Sequence, residues 1–342
     1  MSDTFTHVDL KHLLKRGAML AAANWQTVAI QFVAQTTFQV LLAVPIIGAA
    51  ILVAVLLGAD LADLLQGSMR EIFTTIAGAL WSEPVALVAF MTAFCLVLLG
   101  GSALMFTVKG GTVDVLLAAN AETGPIEHEP LTIDVFRSAS RFTLQRFTAG
   151  CARLYRPYLL LGLLLILVYG ASIGGYVGFV VYGYRIAEGR VLVIGWTLIA
   201  ALAATVLVGW ITLVNLVYLL TQIVVAADGV RLADAGRAVG RFVRAEVREL
   251  VLLFLVVLAL VVAATLVSAL AWSGVGLIAF VPLVGLAVFP LQIIALLLRG
   301  LVFEYLGLAA LGAYVTLYQR HAAGRTAQLV NWRVGELVNS RQ

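Results

Sequence analysis

The sequence predicts an all-α integral membrane protein. It has six transmembrane helices paired as three hairpins, each preceded by a cytoplasmic amphipathic helix. Composition is the first reason. Of 342 residues, 62% are hydrophobic and 12% charged, with a mean hydropathy of +1.05. Soluble domains run at about 45–50% apolar and about 25% charged, so this chain has too little polar surface to cover its apolar residues in water. The second reason is run length: several apolar stretches exceed the roughly 20 residues that cross a bilayer core of about 30 Å. The third is the alternation of basic and non-basic connections between those stretches.

The chain reads as a single membrane domain over 1–342, with repeat units at about 9–108, 132–226 and 228–318 and a basic tail at 319–342. Segment 9–23, DLKHLLKRGAMLAAA, opens the first unit. The apolar run after Lys15-Arg16 meets Asn24-Trp25-Gln26 rather than a small-residue cleavage site, so the first span is expected to be its own insertion signal. That span covers 27–58. Along it Thr27, Gln31, Gln35 and Gln39 recur every four residues and form one stripe. Segment 59–84 suggests a short surface helix through Leu61, Leu64, Leu65, Ile72 and Ile76, with Trp81 as an interfacial anchor. The second span follows at 85–108.

The second unit starts at 132–156, where Ile133, Phe136, Leu144, Phe147, Cys151 and Leu154 share an arc of roughly 80°, flanked by Arg137 and Arg141. Span three, 157–183, carries a GxxxGxxxG face of Gly170, Gly174 and Gly178, which lets another helix approach closely, from this chain or a second copy. After a turn at 184–190, span four covers 191–226 and aligns Asn215, Tyr218 and Gln222. The third unit starts at 228–250. There Arg237, Arg241, Arg244 and Arg248 form one narrow stripe opposite Leu232, Ala235, Val239, Val243 and Leu250. Helices of this kind either lie in the headgroup zone with arginines on anionic lipid or brace the bundle. Span five covers 249–273. A hydrophobic excursion at 274–298, broken by Pro282 and Pro290, leads into span six at 288–318. A seventh span there would put Arg320, Arg325, Arg333 and Arg341 on the outer side, so six is preferred.

Charge sets the orientation. Segments 1–26, 109–156, 227–248 and 319–342 hold 18 of the 22 Lys and Arg residues. Basic residues resist translocation, so both termini are expected in the cytoplasm and the chain in a bacterial inner membrane. The net charge of +4 reads as membrane orientation, without base-stacking or groove-reading features for nucleic acid. Cys95 and Cys151 form no disulfide framework.

Two stretches carry a likeness. ADAGRAVGRFVRAEVREL runs straight into a hydrophobic span, and a Pro-led last helix ends in AYVTLYQRHAAG. Here the chain resembles the bacterial membrane-domain type found beside glycerophosphodiester phosphodiesterases, and related six-span proteins. The resemblance implies architecture. No phosphodiesterase domain is expected with these spans, so the resemblance implies no enzymatic activity.

Catalytic machinery is not evident. His7, His12, His128 and His321 all fall in cytoplasmic segments, and none pairs with a serine or acid at recognisable spacing. Glu127-His128-Glu129 has the chemistry of metal ligands, but adjacent residues make a poor site and read as a solvated loop. No phosphate-binding or dinucleotide fingerprint stands out, so neither an enzyme, a metal nor a cofactor is expected. Polar groups inside spans carry more information, because lipid offers them no hydrogen bonds. Arg299 and Glu304 lie on the last span about 140° apart around the helix, so each needs a partner elsewhere. Glu304 either anchors the bundle through a residue such as Gln35 or Asn215, or lines a cavity with Arg299 that admits a polar headgroup. The expected function is a non-enzymatic scaffold or accessory subunit contacting anionic lipid or a protein partner. The alternative is a carrier for a lipid or small amphiphile.

Overall fold

The computed structural model describes residues 10–57, 78, 81–124, 132–188, 193–279 and 284–339. All described elements are helices: α1 Leu10–Ala23, α2 Trp25–Leu57, α3 Pro84–Glu122, α4 Ile133–Ala139, α5 Leu144–Glu188, α6 Val193–Asp228, α7 Leu232–Ala245, α8 Val247–Ala279 and α9 Val284–Asn339. Six of them, α2, α3, α5, α6, α8 and α9, are long and apolar enough to cross a membrane. The surface helix expected over 59–84 and the Glu127-His128-Glu129 loop lie outside the described residues, apart from Gly78 and the stretch from Trp81, which is 80% exposed.

Several helices outrun their expected spans. α3 continues past 108 to Glu122, and α9 passes through Pro290 and continues to Asn339, into the segment expected as a tail. α8 runs to Ala279 and α9 starts at Val284, so the described part of the excursion read at 274–298 is the end of α8 and the start of α9, and residues 280–283 lie outside the described residues. The second amphipathic segment is not one helix: it breaks at Ser140–Thr143, leaving Ile133, Phe136 and Leu144 exposed while Phe147 and Leu154 are buried. The third segment bends at Glu246, which puts Arg237, Arg241 and Arg244 on α7 and Arg248 in the first turn of α8.

Packing follows a rotating pattern. α2 runs against α3, α5 against α6, and α8 against α9. Each basic segment then packs on a different pair: α1 on α9, the start of α5 on α3, and α7 on α6. α3, α6 and α9 also touch one another. Two of these crossings depend on missing side chains. A Cβ on Gly17 would stand 2.2 Å from the Ala309 carbonyl oxygen, and one on Gly111 would stand 2.7 Å from the Phe147 carbonyl oxygen. Backbone-to-backbone approach of this kind leaves no room for alanine.

The core occupies one end of the bundle. On α3, exposed large apolar residues run from Val85 to Leu104, and burial begins at Met105 and Phe106. On α6 they run from Ile194 to Val217, and burial begins at Tyr218. On α9 the exposed series ends at Val302, and Leu308 to Tyr318 are buried apart from a few half-exposed positions. The exposed stretch of α3 is therefore about 30 Å long at 1.5 Å per residue. Below it, Tyr158, Phe242, Leu116, Ile223 and Leu317 close a single apolar cluster in which every described helix except α2 takes part.

Candidate functional site

Where the exposed apolar zone meets the core, polar groups from four helices converge. Lys109 of α3 points its ammonium at the ring of Tyr218 of α6, 5.7 Å from the centroid. Lys109 and Glu304 of α9 attract one another electrostatically without closing to a direct salt bridge. α2 supplies the fourth group. Val28 packs with Leu308 and Phe32 covers Gly300, both on α9. Ile30, Ala34 and Phe38 pack instead on Met105, Val108 and Gly101 of α3. At 100° per residue Gln31 falls between these two faces, so it is directed into the crevice between α3 and α9.

Three buried polar atoms at or next to this level have no hydrogen-bond partner among the described residues: Gln31 Oε1, Tyr218 OH and Gln222 Nε2. An unsatisfied buried polar group costs about 1–3 kcal/mol. A layer holding three of them beside two charges has the chemistry of a site that takes up water or a polar group.

About three turns deeper along α3 and α9 the polar groups are engaged. Arg16 of α1 is 8% exposed and donates to the Asn120 side chain at 2.7 Å, the Asn120 carbonyl at 3.1 Å and the Gly124 carbonyl at 2.6 Å. It also donates to the Thr123 hydroxyl. These acceptors close the C-terminus of α3, where unpaired carbonyls and the helix dipole favour a cation. Asn120 in turn donates to Gln319 at 2.5 Å and accepts from Thr316 at 3.1 Å, binding α1, α3 and α9 in one network. Asn24 ties the α1–α2 elbow to the break after α4: its Nδ2 donates to the Leu20 and Ala139 carbonyls, each at 2.9 Å, and its Oδ1 accepts the Arg141 N–H at 2.9 Å.

The rim below is ionic. Arg153 pairs with Asp114, Arg320 with Glu249 at 2.6 Å and Glu246 at 3.5 Å, and Arg141 with Glu122 at 3.3 Å. Tyr318 donates to Asp228 at 2.6 Å, and its ring meets Phe242 edge-on at 5.2 Å. α7 lies over this rim with Ala235, Ala238, Val239 and Phe242 buried and Arg237, Arg241 and Arg244 exposed. Its apolar face is spent on the bundle. Arg248 is also exposed, Arg137 stands exposed on α4, and Arg237 holds Asp234 at 2.5 Å.

The residues singled out from sequence scatter around this arrangement. Glu304 and Gln31 belong to it, and Gln222 lies one turn toward the core from Tyr218. Gln35 is half-buried and Gln39 exposed, because the stripe diverges from the core as α2 leaves it. Asn215 accepts from Tyr169 at 2.5 Å across α5 and α6, so it anchors that pair rather than Glu304. Arg299 is exposed and lies 5.7 Å from the ring of Phe303, the residue one turn nearer the core on the same helix. Gly170, Gly174 and Gly178 are exposed, and a Cβ on each would meet nothing within 4 Å, so no described helix packs on that face. Among the described residues no group of three His, Cys, Asp or Glu side chains is placed to hold a metal.

Sequence reasoning missed Lys109, Arg16 and Asn120. A signal for the last existed: Leu116-Leu117-Ala118-Ala119-Asn120 closes α3 much as Val224-Val225-Ala226-Ala227-Asp228 closes α6. Both end residues bond to α9. No protein-family description, curated protein or solved structure matches the chain.

Proposed function

We propose that the chain is a non-enzymatic scaffold of the bacterial inner membrane that holds anionic lipid or a protein partner against its cytoplasmic rim. In this reading the three basic segments and their following helix pairs are three related hairpin units arranged in a ring. Each unit's basic segment packs on the second helix of the unit before it, and α1 closes the ring on α9. The exposed apolar zone is the membrane slab, and the basic end with both termini lies in the cytoplasm. The architectural likeness to the phosphodiesterase-associated membrane domains belongs to the same reading.

One observation carries it: Arg237, Arg241, Arg244 and Arg248 stay exposed while the apolar face opposite them is consumed inside the bundle. Four cations left unburied just beneath an apolar slab fit phosphate headgroups, at about 1 kcal/mol each near an anionic surface. The test is native mass spectrometry from nanodiscs mixing phosphatidylglycerol and phosphatidylcholine. Enrichment of phosphatidylglycerol, or a stoichiometric second protein, that is lost when the four arginines become glutamine supports the scaffold. Equal retention of both lipids with no second protein sinks it.

The polar layer favours a second reading, a carrier that passes a polar headgroup between α2, α3 and α9. Its support is the set of unpartnered atoms on Gln31 and Tyr218 beside Lys109 and Glu304.

A further inference from the structure

Lys15 stands between two apolar grooves. One, of about 470 Å³, runs between α1 and α4 and is walled by Ala18, Met19, Ile133, Phe136 and Tyr305. The other, of about 270 Å³, runs between α1, α8 and α9 and is walled by Leu14, Val257, Leu260, Val261 and Leu306. Lys15, Ala18 and Tyr305 line both. Tyr305 is fixed there by donating its hydroxyl to the Ala18 carbonyl at 3.2 Å, which makes it the partition between the grooves. Lys15 is exposed and has no ion pair or hydrogen bond among the described residues, whereas Arg16 beside it is sunk in the core. Ile133 is 77% and Leu260 47% exposed, so each groove has an open apolar flank.

The depth of the pair matters. Tyr305 lies three residues beyond Val302, the last exposed large apolar residue of α9, so Lys15 sits at the edge of the exposed apolar zone. A lysine that snorkels at such an edge seeks an anion in the headgroup layer. Two apolar channels diverging from one cation match a molecule with one phosphate and two acyl chains.

We infer that Lys15 and the grooves on either side of Tyr305 form a binding site for a single anionic phospholipid. The phosphate rests on the Lys15 ammonium and one acyl chain lies in each groove. The site rests on the membrane placement proposed above, but it is separate from the arginine rim. It takes its lipid from the membrane, because a free phosphate has nothing to place in the grooves.

The test measures phosphatidylglycerol affinity by native mass spectrometry of the full chain, comparing Lys15→Ala, Leu260→Trp and the four-arginine glutamine variant. Both single substitutions are at exposed positions and leave the core intact. Lys15→Ala should weaken one tightly held phosphatidylglycerol by about fivefold, the equivalent of one lysine at an anionic surface. Leu260→Trp should weaken the same lipid by filling the α8 groove with the cation untouched, and soluble glycerol phosphate should not compete. The inference is overturned if Lys15→Ala keeps full occupancy, if Leu260→Trp has no effect, or if a peptide rather than a lipid is retained. If lipid is lost only in the four-arginine variant, the scaffold reading stands and this site falls. If lipid is lost only in the Lys15 and Leu260 variants, the reverse holds.

Discussion

Lys109 of α3 and Glu304 of α9 attract one another electrostatically, and the ring of Tyr218 lies 5.7 Å from the lysine ammonium. The lysine thus has two sources of attraction, a carboxylate and an aromatic face, and neither is a direct salt bridge. Removing one member leaves the other charge poorly compensated, at about 1–3 kcal/mol. We expect Glu304→Gln and Lys109→Met each to lower thermal stability in detergent, and the double variant to lose less than the sum. Additive losses would show that the two charges act independently.

Arg16 is the test of how the core is held. Arg16→Lys keeps the charge but not the planar fork that reaches Asn120, Thr123 and Gly124 together. Substitution by lysine should cost nearly as much as substitution by alanine, roughly 3 kcal/mol or more for a buried cation network. Full rescue by lysine in a denaturation series would mean that charge alone matters.

Glycines at different places should respond differently. Gly17→Ala forces a Cβ against the Ala309 carbonyl oxygen at 2.2 Å, an overpacking worth about 1–3 kcal/mol. Gly174→Ala meets nothing within 4 Å and should leave unfolding unchanged. If Gly174→Leu changes the oligomeric mass on native gels while stability holds, that face is used between copies of the chain.

Water access separates the two functional readings. Gln31→Cys, in a Cys95→Ala and Cys151→Ala background, should resist a membrane-impermeant thiol reagent from both sides if the polar layer is sealed within a scaffold. Rapid labelling from one side, slowed by Glu304→Gln, is the carrier outcome.

Much of the helical architecture was legible because membrane helices announce themselves by length and composition. α8 shows this well: its apolar run needs no context to be read. The ends were harder. Apolar runs of α3 and α9 thin out near residues 108 and 318, yet both helices continue, because the core beneath the slab is built from the same helices carrying Asn120, Thr316 and Gln319. Glu304 and Gln31 drew attention as polar groups among apolar ones. Lys109 did not, since at the end of an apolar run it reads as an ordinary boundary lysine. Its role depends on α6 and α9 arriving at the same height, and spacing along α3 carries no trace of that. The same limit hid the two grooves, whose walls come from α1, α4, α8 and α9.

The seat of α1 on α9 has a consequence for the order of events during synthesis. Gly17 and the Ala309–Ala313 stretch meet across nearly the whole chain. α1 therefore leaves the ribosome long before its partner and docks only after α9 has been made. Until then its apolar side, with Leu13 and Leu20 buried in the finished protein, must rest on the membrane surface or on a chaperone. Closure is thus a late, non-local step of the kind that slows folding and leaves sticky intermediates. A chain cut before α9 would leave α1 without the helix it packs on most extensively.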